Sequence, residues 1–266
     1  MNLKTTQSMM LAALFAACTV AQAQTAAPAP AAAPAPAASP FAFNLGVVTD
    51  YRFRGISQSR LKPALQGGVD WTHHDSGFYL GFWFSSIRIL EDIPGGKGPV
   101  ELDFYGGYRG KFTDALSYDV GLLRYQYPRE NFPTTVNTTE LYGSLGYGPV
   151  TVKYSHSLQK QTFGVANSRG TGYLEAAATF DTGIWGMTIT PHIGYQKYRG
   201  SNAGVSNDSF ASYVDYSLVL GKDLGNGFTL TAGLYGTDTK DPFYKSGANN
   251  KDLGKTGLVL GAKYSF

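Results

Sequence analysis

The chain has 266 residues with 22 Lys plus Arg against 19 Asp plus Glu, and only 15% of it is charged, while Gly (33), Tyr (18) and Phe (16) are abundant. A net charge of +3 leaves no electrostatic footprint for nucleic-acid binding, and a single cysteine, Cys18, excludes an internal disulfide framework and thiolate metal centres. The glycine and aromatic surplus over so few charges is a β-rich composition.

The first residues predict secretion. Lys4 supplies a positive charge, the run from Met9 to Val20 is apolar, and Ala21-Gln22-Ala23 is a small-x-small cleavage pattern. Residues 1–23 therefore read as a signal peptide, with Gln24 as the new N-terminus; the apolar run is too short to cross a bilayer as a helix. A competing reading takes Leu14-Phe15-Ala16-Ala17-Cys18 as a lipoprotein signal, from which phenylalanine at the third position before the cysteine departs. Residues 24–40 are almost wholly alanine and proline and predict an extended periplasmic linker. The folded domain is expected over 41–266.

Within that domain nearly every segment alternates with period two, the mark of a strand with two different faces. Phe43, Leu45, Val47, Tyr51 and Phe53 oppose Asn44, Asp50, Arg52 and Arg54; Val100, Leu102 and Phe104 oppose Glu101 and Asp103. The pattern predicts about twelve strands, near 42–54, 63–73, 77–88, 100–112, 116–127, 138–148, 150–160, 171–181, 186–198, 209–222, 227–238 and 255–266, with 10–14 allowed. Each is long enough to cross a bilayer as a tilted strand.

The connections alternate strictly between long and short. Residues 55–62, 89–99, 128–137, 161–170, 199–208 and 239–254 are long, whereas 75–76, 113–115, 149, 182–185 and 223–226 are short. This predicts an all-β fold, a closed antiparallel transmembrane barrel with short periplasmic turns and long extracellular loops, in the outer membrane of a Gram-negative bacterium. An even strand count puts both termini on the periplasmic side.

The last strand places Leu258, Leu260, Tyr264 and Phe266 on one face and ends on Phe266. It looks like the C-terminal targeting strand that the barrel-assembly machinery reads; the competing reading is the closing strand of a secreted lipocalin-like barrel. Aromatics near segment ends (Tyr51, Phe53, Tyr125, Tyr127, Tyr195, Tyr198, Tyr264, Phe266) are expected to form interfacial girdles, against the simpler reading that they reflect β-propensity.

The segment Asp50-Tyr51-Arg52-Phe53-Arg54-Gly55-Ile56-Ser57-Gln58 resembles the opening motif of the TorF-type family of putative porins. Gln66-Gly67-Gly68-Val69-Asp70, Gly77-Phe78-Tyr79-Leu80-Gly81 with Trp83, Ser85 and Ser86, and Glu101-Leu102-Asp103-Phe104-Tyr105-Gly106-Gly107-Tyr108 continue the likeness in the family's order. The match covers the first third of the mature chain. It implies an outer-membrane barrel with a channel role and no established substrate.

In a barrel the polar face points inward. The predicted pore lining is Asp50, Arg52 and Arg54 on strand 1, Asp70 with Gln66 on strand 2, Glu101, Asp103 and Arg109 on strand 4, Asp119 and Arg124 on strand 5, then Glu140 and Lys153, followed by Glu175, His192, Asp215 and Lys263. Mixed signs either set a transverse field or pair off; register predicts the pairs Arg109 with Asp119 and Arg124 with Glu140. Arg52, Arg54, Glu101 and Asp103 are the expected constriction. Ser155-His156-Ser157 puts the histidine opposite both serines, and His74 and Ser76 sit in a short turn, so neither makes a hydrolase triad. His73 and His74 diverge as neighbours, and no metal, cofactor or catalytic set emerges. The expected function is passive diffusion of small hydrophilic or charged solutes. A non-conducting barrel that acts through its extracellular loops is the alternative, and a lipid hydrolase is the third reading. The expected partners are outer-membrane lipids, the assembly machinery and the solutes.

Overall fold

The computed structural model describes residues 39–92, 96–130, 132, 134–240 and 242–266. The predicted signal peptide, Cys18 and nearly all of the linker lie outside the described residues. The strands are β1 Phe41–Val48, β2 Ala64–Thr72, β3 Phe78–Ser86, β4 Val100–Lys111, β5 Leu116–Gln126 and β6 Thr138–Tyr147. They continue as β7 Val150–Ser157, β8 Gly172–Ala178, β9 Met187–Lys197, β10 Tyr213–Gly225, β11 Phe228–Thr237 and β12 Gly257–Ser265. Phe180–Asp181 prolongs β8 past a break at Thr179. Each strand pairs antiparallel with its chain neighbours, and β1 closes the sheet by pairing β12 as well as β2, giving a twelve-strand barrel.

Long connections gather at one end and tight turns at the other, as the spacing predicts. At the turn end the closure is reinforced where Phe43 N donates to Phe266 O (2.9 Å) and Phe266 N to Phe43 O (3.0 Å), with the two rings stacked at 5.7 Å. The predicted strands match to within a few residues except at two places. Strand 10 starts later than expected because Asn207–Ala211 forms a short helix. Strand 1 was expected over 42–54 but ends at Val48. Beyond Thr49 the chain leaves the wall and turns into the lumen, with Arg54 and Gly55 in the left-handed region at φ 47° and 79°. A Cβ on Gly55 would lie 2.5 Å from Thr237 Cγ2 and 2.8 Å from Asp215 Cβ, so glycine is required where this turn meets the wall at β10 and β11.

The two faces divide as the alternation predicts. Leu45, Leu80, Leu122, Val152, Leu174, Ile193, Leu218 and Leu260 stand exposed around the outside. An apolar belt this continuous is unfavourable in water and suits hydrocarbon. No helix among the described residues is long and apolar enough to cross a membrane, so any crossing is by strands. Rings at the turn end form the girdle: Phe41, Phe43, Phe266, Tyr264 and Phe228 stack in series, and Phe78, Tyr108, Tyr118 and Phe112 make a second run. Tyr195 also faces out, but Tyr51, Phe53, Tyr125, Tyr127 and Tyr198, expected in the girdle, are buried inside the barrel. Their ends of the segments meet the inward-folded first loop rather than lipid.

Candidate functional site: the occluded lumen

The first long connection is built around one carboxylate. Asp50 accepts hydrogen bonds from Ser57 Oγ (2.5 Å), Ser59 Oγ (2.9 Å) and Arg52 Nε (2.5 Å), which folds residues 50–59 onto themselves, and Arg52–Phe53 pairs with Ile56–Ser57 as a tiny hairpin. Arg52 Nη1 also donates to the carbonyls of Gly55, Leu253 and Lys255, each at 3.0 Å, tying this loop to the last one. Arg54 reaches across the lumen: Nη1 and Nη2 clamp Glu140 on β6 at 3.0 and 2.7 Å, and Nη1 donates to Gln196 Oε1 on β9 at 2.7 Å. The guanidinium lies 4.1 Å from the centre of the Tyr173 ring on β8. A paired, stacked arginine is the stable way to bury such a charge. Phe53 packs edge-on against Tyr125 and Phe163, at 5.3 Å each. Asp50, Arg52 and Arg54 thus face the interior from a plug and not from a wall strand.

The wall residues sort into two levels. At the level of the plug, Glu101 and Asp103 on β4 are both 0% exposed. Tyr51 donates to Glu101 Oε1 at 2.8 Å, whereas Glu101 Oε2 and both Asp103 oxygens have no hydrogen-bond partner among the described residues. Across the lumen, His192 stands 3.2 Å from Glu175 and 3.6 Å from Asp215, and Tyr173 donates to Asp215 at 2.9 Å. Nearer the turn end, Asp70 accepts from Tyr105 and Asp119 from Tyr79, both at 2.6 Å, and the Tyr79 and Tyr142 hydroxyls hydrogen-bond each other. Arg109 lies over the Tyr79 ring and donates to Thr72 at 3.0 Å, and Lys153 lies over Tyr142.

Arg124 belongs to the other face. It is five residues from Asp119, an odd step, so the two cannot share a side of one strand. Its guanidinium bonds Gln126 Oε1 (3.0 Å) and Thr139 Oγ1 (3.1 Å) on the outer surface near the long-loop end. The predicted pair with Glu140 therefore does not form: Leu123 is the register partner of Glu140, and Arg54 takes its carboxylate. Arg109 does stand opposite Asp119 in register. Ser155 and Ser157 are buried inward while His156 sits on the outer face beside Tyr154. Among the described residues no three His, Cys, Asp or Glu side chains are grouped to hold a metal ion. Sequence reasoning passed over Tyr173 and Gln196, whose inward parity is readable, and puts Tyr51 on the outward face by parity; the roles of all three depend on a loop that crosses the pore.

A closed twelve-strand antiparallel barrel, apolar outside and charged within, is a β-barrel of outer-membrane, porin-like architecture. Residues 32–266 match the family described as "Bacterial protein of unknown function (Gcw_chp)", and the chain belongs to that family. Among solved structures the fold is similar to the KdgM porin, at a TM-score of 0.53 and 10% identity over 85% of this chain and 99% of that one. A second structure, "KdgM porin in complex with disordered oligogalacturonate", gives 0.52 and 10% over 85% and 98%. At that identity the likeness is one of fold alone. No protein of curated function matches the sequence.

Proposed function

We propose that the protein is an outer-membrane channel for passive diffusion of small hydrophilic or charged solutes, narrowed by its own first extracellular loop. The carrying observation is the lumen: charged side chains of both signs line the closed barrel at the level of the plug and nearer the turn end, buried charge that a purely structural core avoids. The alternation of connections supports long loops outside and turns in the periplasm, and a signal peptide would deliver the chain there. Leu258, Leu260, Tyr264 and Phe266 would be the strand read by the assembly machinery. The likeness of the first third to the TorF-type porins supports the same role.

Inward acids outnumber inward bases, with Asp50, Asp70, Glu101, Asp103, Asp119, Glu140, Glu175 and Asp215 against Arg52, Arg54, Arg109, Lys153 and Lys263. Asp50 and Glu140 are held by Arg52 and Arg54, which leaves Glu101 and Asp103, beside the plug, as the acids with no ion-pair partner among the described residues at that level. The solute class this favours is cationic, and an acidic oligomer such as the oligogalacturonate named with the KdgM structure is disfavoured. Reversal potentials of the refolded protein in a planar bilayer under a KCl gradient test this. Cation preference in the wild type that falls toward none in Glu101→Gln/Asp103→Asn is expected; anion preference, or no change in the variant, would refute it.

The second reading, a non-conducting barrel that works through its loops, has the bidentate Arg54–Glu140 clamp in its favour. It becomes the conclusion if correctly folded, heat-modifiable protein never conducts.

A further inference from the structure

Above the plug, on the extracellular side of this orientation, lies a cavity of about 340 Å³ to which all six long connections contribute. Phe53 comes from the first, Leu90 from the second, Val136 from the third, Val165 from the fourth, Tyr198 from the fifth and Tyr244 from the sixth. Convergence of six separate loops on one space is costly in chain entropy, and a surface with no ligand to hold does not require it. Rings dominate the lining: Phe53 and Phe163 meet edge-on at 5.3 Å, and Tyr213 and Tyr244 at 5.1 Å.

Apart from tyrosine hydroxyls the polar side chains at the lining are Gln58, Asp92, Gln196 and Lys245, and of these only Asp92 Oδ2 is buried with no hydrogen-bond partner among the described residues. Gln196 accepts from Arg54 and donates to Gly172 O (3.2 Å), and the Gln58 amide donates to Ile56 O at 3.1 Å. Asp92 accepts from Ser246 Oγ (2.7 Å) and lies 2.8 Å from Arg60 Nε. Burial pushes the phenols of Tyr198 and Tyr244 up, so both stay neutral, and Tyr244 donates its proton to Ala211 O at 2.5 Å. A sugar lodged here would leave most of its hydroxyls unmet, and a charged solute would meet only Asp92, already paired with Arg60, and Lys245, so neither is retained on its way to the lumen. An uncharged ring would lose only apolar contact with water and gain ring-edge contacts.

We propose that this six-loop cavity is a binding site for a small, uncharged, ring-bearing apolar molecule, distinct from the charged lumen beneath Phe53 and Arg54. The site goes beyond the channel reading and does not depend on conduction.

The probe is 4-bromophenol below its phenol pKa, with the full mature chain in lipid nanodiscs. Equilibrium dialysis should show saturable binding of one equivalent above empty nanodiscs, and the anomalous bromine signal in soaked crystals should lie inside the cavity, against the Phe163 and Tyr244 rings. Val165→Trp and, from a different loop, Val136→Phe fill the space and should weaken binding by about tenfold or more while heat-modifiable mobility is kept. Absence of saturable binding by the wild type, equal binding by both folded variants, or bromine signal only elsewhere would overturn the proposal. If neither variant folds, the bromine position in the wild type decides. Bilayer recordings are read separately, so a barrel that binds the phenol yet never conducts would sink the channel reading and leave this site standing.

Discussion

Arg54→Ala should open the barrel and weaken it at once. The arginine is 3% exposed and its two Nη atoms clamp Glu140, itself 2% exposed, so the alanine variant leaves a carboxylate stranded in the interior. Breaking one partner of a buried pair costs about 3–5 kcal/mol, far more than the pair contributes over a well-packed apolar replacement. The same change cuts the tether between the tip of the first loop and the far wall: Gln196 and the Tyr173 face lose their partner too. Urea unfolding in lipid vesicles should show the lost stability, and single-channel recording should show larger and longer openings than the wild type. Arg54→Met/Glu140→Leu removes the stranded charge and should recover most of the stability while keeping the altered conductance. Wild-type openings in both variants would mean that residues 50–59 do not limit the pore.

The second large effect is on the outer face. Leu218 stands exposed on β10 in the apolar belt, opposite Leu234 of β11, whereas Thr229 is buried on the lumenal side. Leu218→Arg should cost about 2–4 kcal/mol in bilayer folding, since a guanidinium near the midplane has neither water nor a partner. Thr229→Arg should fold with little loss, because its side chain enters a polar lumen near the turn end, where Asp223 is its register partner on β10 and offsets Lys263 on β12. Equal losses at the two positions would mean that the assigned faces are wrong; Leu230, adjacent to Thr229 and facing out, gives a third reading of the same phase.

Parity was the most legible feature and also the easiest to misuse. Glu101, Asp103, Glu140 and Lys153 are inward because their strands alternate without a bulge. The charge of Arg124 suggests an inward position and the odd spacing from Asp119 an outward one, and the spacing prevails because backbone pleat, not side-chain polarity, sets direction. A charged group near a strand end can stay outside by bonding to polar neighbours at the interface, as Arg124 does with Gln126 and Thr139. The buried aromatics misled for a related reason. Tyr125 and Tyr127 sit at a strand end, where a girdle belongs, but on the inward face, where rings pack against Phe53 and its neighbours.

Strand number, the alternation of long and short connections, and the two-faced wall were properties of the sequence by itself, because period two and turn chemistry act over a few residues. Where the first strand stops was not among them: alternation continues through Asp50, Arg52 and Arg54 whether the chain climbs the wall or crosses the pore. That choice is made by contacts 86 and 142 residues away, Arg54 with Glu140 and with Gln196. Only a closed barrel brings those partners to one point in space, so the plug, the unneutralised acids beside it and the ring-lined cavity above it exist through tertiary structure alone.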